Sequence, residues 1–194
     1  FQLFHFLSSS EPLFFAILKN RPEYRMPVNR QQYKNTILQQ LKMLPELNLP
    51  SYSFRTRHNA GKTFIFDEVR KKFLVLTPEE WVRQNFIRYL AGEKGFPPAL
   101  MVIERGLKVN RNPFRADLLI CDRTGAPLLA AEFKAPEIRI TQAAFDQIAR
   151  YNMQFRVPYL IVSNGLDHYC CKIDFQAGSY VFLKDIPEFG GICC

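Results

Sequence analysis

The 194 residues contain no run of about 18 apolar side chains, so they predict no membrane-spanning helix. Residues 1–18 are apolar but are broken by Ser8-Ser9-Ser10-Glu11-Pro12 and lack a basic start, which makes a poor signal peptide. Cysteine is scarce. The five, at 121, 170, 171, 193 and 194, show no C-x-x-C spacing, which excludes a zinc ribbon of that kind, and they form no disulfide framework. Three histidines, His5, His58 and His168, are scattered away from the thiols in sequence. Free thiols and no leader predict a reducing, cytoplasmic setting. There is no internal repeat and no low-complexity tract. A G-x-x-x-x-G-K-[ST] phosphate loop is also missing, so nothing in these residues drives translocation along DNA.

What is present is the composition of a soluble globular domain, 47% hydrophobic and 23% charged. The net charge is +8, but residues 1–42 carry six Lys/Arg against two Asp/Glu, and the remainder 20 against 16. A basic excess so divided admits a polyanionic partner without selecting one. Residues 1–42, rich in Phe and then basic, are expected to be an N-terminal extension, with Met43 or Met26 as alternative starts. Residues 43–194 are expected to form one domain with its core at about 78–165.

Element signals become clear after Met43. Pro45 and Pro50 suggest an extended arm over 44–53, and residues 63–66 and 72–76 a hairpin around Asp67-Glu68-Val69-Arg70-Lys71. Thr77-Pro78-Glu79-Glu80 opens a helix: Thr77 as N-cap, Pro78 at the first position and Glu80 closing a capping box. Trp81, Val82, Phe86, Tyr89 and Leu90 form its apolar stripe, ending near Gly92. Strands are predicted over 100–109, 115–121 and 127–133, the last two joined by Asp122-Arg123-Thr124-Gly125. Thr141 caps a second helix to about Met153, with Ala143, Ala144, Ile148, Ala149 and Tyr151 on its buried side. A buried strand over 159–162 and a hairpin of 168–173 with 180–183 follow. The order is helix, three-stranded meander, helix, strand, which implies a mixed central sheet flanked by helices, with additional hairpins at both ends.

Three charged residues stand in this apolar frame. Asp117 lies among Ala116 and Leu118-Leu119-Ile120, and 15 residues later Glu132-Phe133-Lys134 places an acid and an amine two apart on the adjacent strand. Residues two apart share a face, and hairpin neighbours lie about 4.8 Å apart, so the three can meet. A rim ion pair accounts for any one of them. Two carboxylates that hold Mg²⁺, with Lys134 beside the scissile phosphate, account for all three.

The sequence here resembles the PD-(D/E)xK nuclease superfamily, and more closely the N-terminal nuclease domain of type I restriction enzyme R subunits and small stand-alone proteins of that group. Asp117 matches the motif aspartate, Glu132-Phe133-Lys134-Ala135-Pro136 the E-x-K-A-P segment, and Gln147-Ile148-Ala149-Arg150-Tyr151 the Q-x-x-x-Y motif. Ser163-Asn164-Gly165 resembles the strand-end T/S-N-G, and Glu79-Glu80-Trp81-Val82-Arg83-Gln84 the opening helix. The resemblance implies a restriction-endonuclease-like core and a DNA nuclease of restriction, defence or repair, dependent on Mg²⁺ with Mn²⁺ substituting. It implies catalytic Asp117, Glu132, Lys134, Gln147 and Tyr151, and metal held by Asp117, Glu132 and Glu80, with Glu79 as competitor for the last. Glu104 is an outlying acid, and Lys108, Arg111 and Arg115 are basic residues around the cleft. The implied partner is DNA, with a helicase or translocase or a specificity subunit beside it. Two other readings remain open: a non-catalytic DNA- or protein-binding module, and a nuclease subunit silent without its partner.

Overall fold

Apolar residues of both parities occupy the middle strands, so the sheet they build needs cover on both faces, and a helix supplies each. A computed structural model of the chain describes residues 44–103, 107–109, 112–114, 116–153 and 156–193, with only the backbone of 107–109, 112–114 and Tyr151. The arm expected over 44–53 is irregular. Beyond it come β1 (Thr56–Asn59), β2 (Lys62–Asp67) and β3 (Lys72–Val75), an antiparallel sheet in that order. The expected hairpin is thus a three-stranded meander. Its first strand, Thr-Arg-His-Asn, lacks the β-branched and aromatic run that marks a strand.

Helix α1 (Pro78–Gly92) starts as its sequence dictates, with Thr77 Oγ1 accepting from Glu80 N at 3.1 Å. Its buried apolar stripe is Val82, Phe86, Ile87 and Leu90, whereas Trp81 and Tyr89 are only half-buried. Trp81 instead pins the arm: its Nε1 donates to Pro45 O at 3.2 Å, and its ring meets Phe54 edge-on.

The central sheet contains β4 (Met101–Ile103), β7 (Leu118–Cys121), β8 (Pro127–Phe133), β9 (Tyr159–Ser163), β10 (His168–Asp174) and β11 (Ser179–Phe182), in the order β11-β10-β9-β8-β7-β4. Only β8 and β9 run parallel, and α2 (Gln142–Met153) spans the connection between them. A single turn, α3 (Phe189–Ile192), packs Phe189 against Phe96. The strand expected over 100–109 is divided. β4 joins the sheet, while β5 (Leu107–Val109) pairs with β6 (Asn112–Phe114) as a separate ribbon. Gly106 stands between β4 and β5 in sequence, and Asn110-Arg111 between β5 and β6. The mixed α/β architecture is consistent with a restriction-endonuclease-like core.

Phe86 and Leu90 of α1 pack with Leu118, Ile120, Leu129, Ala131, Phe133 and Ile161 on one face. Phe145 and Ala149 of α2 pack with Leu119, Ala130, Leu160 and Val162 on the other. Phe145 and Ala149, four apart, set the buried side of α2, so the expected Ala143 and Ala144 are exposed. Vicinal Cys170 and Cys171 point into opposite cores, and burial pushes both thiols up to about 12, so they serve as packing rather than as nucleophiles. Among the described residues no helix is long and apolar enough to cross a membrane.

The arm closes over the turn after β9. Asn48 N donates to Gly165 O at 2.7 Å, and His168 Nε2 meets Asn48 O at 2.8 Å. Gly165 has φ +85°, which favours glycine, and a Cβ there would lie 2.7 Å from Leu47 Cδ2 and 3.0 Å from Val82 Cγ2, so an alanine would also push the Leu47 side chain aside. Gly125, at φ +87° in the β7–β8 turn, faces open space. Gly165→Ala should therefore destabilise the protein more than Gly125→Ala, which should cost about 1 kcal/mol. Urea denaturation of the two variants checks the order, and equal losses would show that the arm yields.

Candidate active site

Antiparallel pairing of Leu118 with Ala131 and Leu119 with Ala130 fixes the register of β7 and β8. Continued by one residue, it sets Asp117 opposite Glu132. Asp117 is not inside the strand, as the sequence suggested, but at a bend just before it. The bend lets its carboxylate turn to two elements: Oδ2 accepts from Phe133 N of β8 at 2.7 Å, and Oδ1 from Arg83 Nη2 of α1 at 3.2 Å. Lys134 follows the end of β8, its backbone N donating to Ser163 O at 2.9 Å. Its half-buried ammonium makes no ion pair with another described residue.

The electrostatics of Glu132 report how these groups are grouped. Burial, the charge of Asp117 and a hydrogen bond with it push the Glu132 carboxyl up to about 7, against the pull of Lys134 and Arg83. Asp117 and Arg83 link it to a network of five carboxylates, Asp67, Glu79, Glu80, Asp117 and Glu132 itself, and three cations, Arg70, Arg83 and Lys134. Negative charge is in excess, and a proton on Glu132 lessens it.

Glu80 is buried, and both its oxygens are engaged. Oε1 accepts from Arg70 Nη2 at 2.9 Å and Gln84 Nε2 at 2.8 Å, and Oε2 accepts from Arg83 Nη1. The reciprocal half of the capping box gives way to this network, since Glu80 faces side chains within the protein. Arg83, only 5% exposed, also binds Glu79 at 3.0 Å, so one guanidinium links Glu79, Glu80 and Asp117. Asp67, wholly buried at the end of β2, accepts from Val69 N, Arg70 N and Gln84 Nε2 at 2.8, 2.7 and 2.9 Å, and pairs with Arg70. Sequence reasoning gave Asp67, Arg70, Arg83 and Gln84 no role. Their signal was the spacing of Glu80, Arg83 and Gln84, polar residues three and four apart on a helix that buries them beside an apolar stripe.

The structure thus brings Asp117, Glu132 and Lys134 together and holds Glu80 behind Arg83. Gln147 is exposed on α2 and makes no hydrogen bond to this group among the described residues. The side chains of Tyr151, Glu104, Lys108, Arg111 and Arg115 lie outside the described residues. No three His, Cys, Asp or Glu side chains among the described residues are grouped as ligands of one metal ion. The pair Asp117 and Glu132 nonetheless suits Mg²⁺, which takes one or two protein carboxylates and completes its shell with water and phosphate oxygens.

A profile of the family described as type I restriction enzyme R protein N terminus matches residues 78–187, more than half of the chain. The match runs from α1 past β11 and includes Glu80, Arg83, Asp117, Glu132 and Lys134. Asp67 and Arg70 come from the meander before it. No curated protein matches the chain as a relative.

A raised carboxyl pKa means that the folded state binds the extra proton, so its stabilising effect is present below the ordinary value of 4.5 and lost as pH rises through about 7. In EDTA, Glu132→Gln should flatten that decline and leave the variant more stable than the parent above pH 7, by up to about 3 kcal/mol. Thermal denaturation from pH 4.5 to 8.5 measures this; parallel profiles would disprove the shift. Arg83→Leu, in contrast, strips Asp117 and Glu80 of a shared counter-charge and should destabilise by about 3–5 kcal/mol at pH 7 in the same assay.

Proposed function

This chain belongs to the family of type I restriction enzyme R protein N termini, and on that premise we propose that it is a Mg²⁺-dependent nuclease that hydrolyses DNA phosphodiester bonds. The family gives it a nuclease-related role in restriction. One observation supports the finer reading: a carboxylate at the start of one strand and another on its neighbour, the second driven toward protonation by burial and by the first, beside an ammonium that forms no ion pair with any described residue. The linked carboxylates outnumber their cations, an imbalance that a bound cation would lessen.

Asp117 and Glu132 are the residues that would hold Mg²⁺, or Mn²⁺ in its place, and the bound ion supplies Lewis acidity and a water of lowered pKa. Phe133 N fixes Asp117 Oδ2, so that carboxylate is oriented before any ligand arrives. Glu132, whose carboxyl burial and Asp117 push up to about 7, would release its proton to solvent on serving as a ligand. Lys134 Nζ orients the attacking water and offsets the charge that develops on the phosphoryl oxygens. Glu80, its oxygens occupied by Arg70, Arg83 and Gln84, supports the site by locating Arg83 against Asp117. Gln147 and Tyr151, one helical turn apart on α2, would meet the substrate strand. Movement along DNA and choice of sequence would fall to a translocase or specificity subunit.

With Mg²⁺ or Mn²⁺ the purified protein should nick or degrade plasmid DNA. Asp117→Asn and Lys134→Ala should each lower the rate by a factor of about 100 or more while leaving the circular dichroism spectrum intact. Cleavage retained in both variants, or no Mn²⁺ binding to the parent protein by calorimetry, overturns the assignment.

A further inference from the structure

The meander β1–β3 has two unlike faces. On β2, Thr63, Ile65 and Asp67 are buried, and Asp67 meets Gln84 of α1. Phe64 and Phe66, which point the other way, are only half-buried, as is Phe73 of β3. The register sets Arg57 opposite Phe64 and Phe66 opposite Phe73, and Phe66 N donates to Arg55 O at 2.9 Å. Two arginines and three phenylalanines therefore share one outward face.

The arginines lie on the rings. The guanidinium of Arg55 sits 3.5 Å from the centroid of Phe66, and that of Arg57 4.4 Å from Phe73 and 5.1 Å from Phe64. Neither forms an ion pair with any described residue. Arg57 Nε is buried without a hydrogen-bond partner, which keeps the guanidinium close to the rings. Rings that served only the core would turn inward, and arginines that served only solubility would not lie down on them. What results is a positive aromatic platform of guanidinium groups over half-buried phenyl rings.

We propose that this face binds single-stranded DNA, the bases stacking on the guanidinium–phenyl pairs and the phosphates meeting the two uncompensated charges. Duplex DNA keeps its bases stacked internally and offers such a platform only its phosphates, so the face selects strands with unpaired bases. The inference rests on the reading that DNA is the substrate, and it names the form of that substrate. The platform is fastened to the active site through the β2–β3 turn, where Asp67 and Arg70 bond to Gln84 and Glu80 of α1. A strand held here is held by the same rigid unit that orients Arg83 and, through it, Asp117.

The test is binding in EDTA, read by fluorescence anisotropy of a labelled oligothymidylate and of a blunt duplex of equal length. The parent protein should prefer the single strand. The double variant Arg55→Glu/Arg57→Glu should bind the single strand at least about tenfold more weakly, with a shallower salt dependence. Phe64→Leu/Phe66→Leu, which keeps apolar bulk and charge, should weaken single-strand binding about fivefold at unchanged salt dependence. Equal affinity for the two DNA forms overturns the proposal, as does unaltered single-strand binding in the charge-reversed protein. An equal loss on both forms reduces the face to a phosphate contact and also overturns it. Because EDTA suppresses hydrolysis, a failure here leaves the nuclease assignment standing, and absent cleavage with intact single-strand preference counts against that assignment alone.

Discussion

One guanidinium sets the geometry of this protein. Arg83 is almost wholly buried and touches Glu79, Glu80 and Asp117, two residues on its own helix and one at the mouth of a strand. Buried charge is tolerated only where partners compensate it, so α1 cannot rotate or slide without stranding either Arg83 or Asp117. Apolar packing of Phe86 and Leu90 fixes how close α1 lies to the sheet; the ionic contact fixes its phase. Arg70 extends the same constraint to the meander by reaching Glu80 from the β2–β3 turn. Three elements that share no backbone ladder are thereby referenced to one point.

That point lies next to a deliberate imbalance. Asp117 is satisfied by Arg83 and by Phe133 N, and Glu80 by two arginines and a glutamine, which leaves Glu132 to carry the surplus charge. Burial raises the cost of ionising it, and Asp117 raises it further. Core residues of the same volume in place of these ions would pack at no loss of stability, and often with a gain. The retained charges thus fix how α1 meets the sheet without adding net stability over an apolar core. They orient a carboxylate pair whose charge a bound proton or cation lessens, and the proposed metal-assisted hydrolysis rests on that pair.

Much of this was legible in the residues. Thr77-Pro78-Glu79-Glu80 marked the start of α1 because capping is local chemistry, and 127–133 read as a strand because it is a short apolar run that follows the turn Asp122-Arg123-Thr124-Gly125. Asp117, Glu132 and Lys134 stood out because charge inside apolar runs is conspicuous. The roles of Arg83, Gln84, Asp67 and Arg70 were not legible, since a helix surface bears such residues routinely and only tertiary packing shows which turn inward. β1 was missed because its polar sequence has no strand signature and acquires one from pairing with β2. The ribbon β5–β6 was missed because β-prone residues stand on both sides of Glu104-Arg105-Gly106 and read as one run, and periodicity does not report where a strand leaves its sheet.

The meander shows how one element can serve both ends of this arrangement. Alternation along β2 sends Asp67 inward to α1 and Phe64 and Phe66 outward beneath arginines, so a single strand joins the ionic network to the platform. A one-residue slip of β2 against its neighbours would expose Asp67 and bury the arginine-covered rings, which would break both features together. The Asp67 carboxylate opposes that slip, because it is held by two backbone N–H groups of its own turn as well as by Gln84 and Arg70. The turn therefore locks the register, the register decides which face is positive and aromatic, and the salt bridge from Arg70 to Glu80 places that face relative to the carboxylate pair.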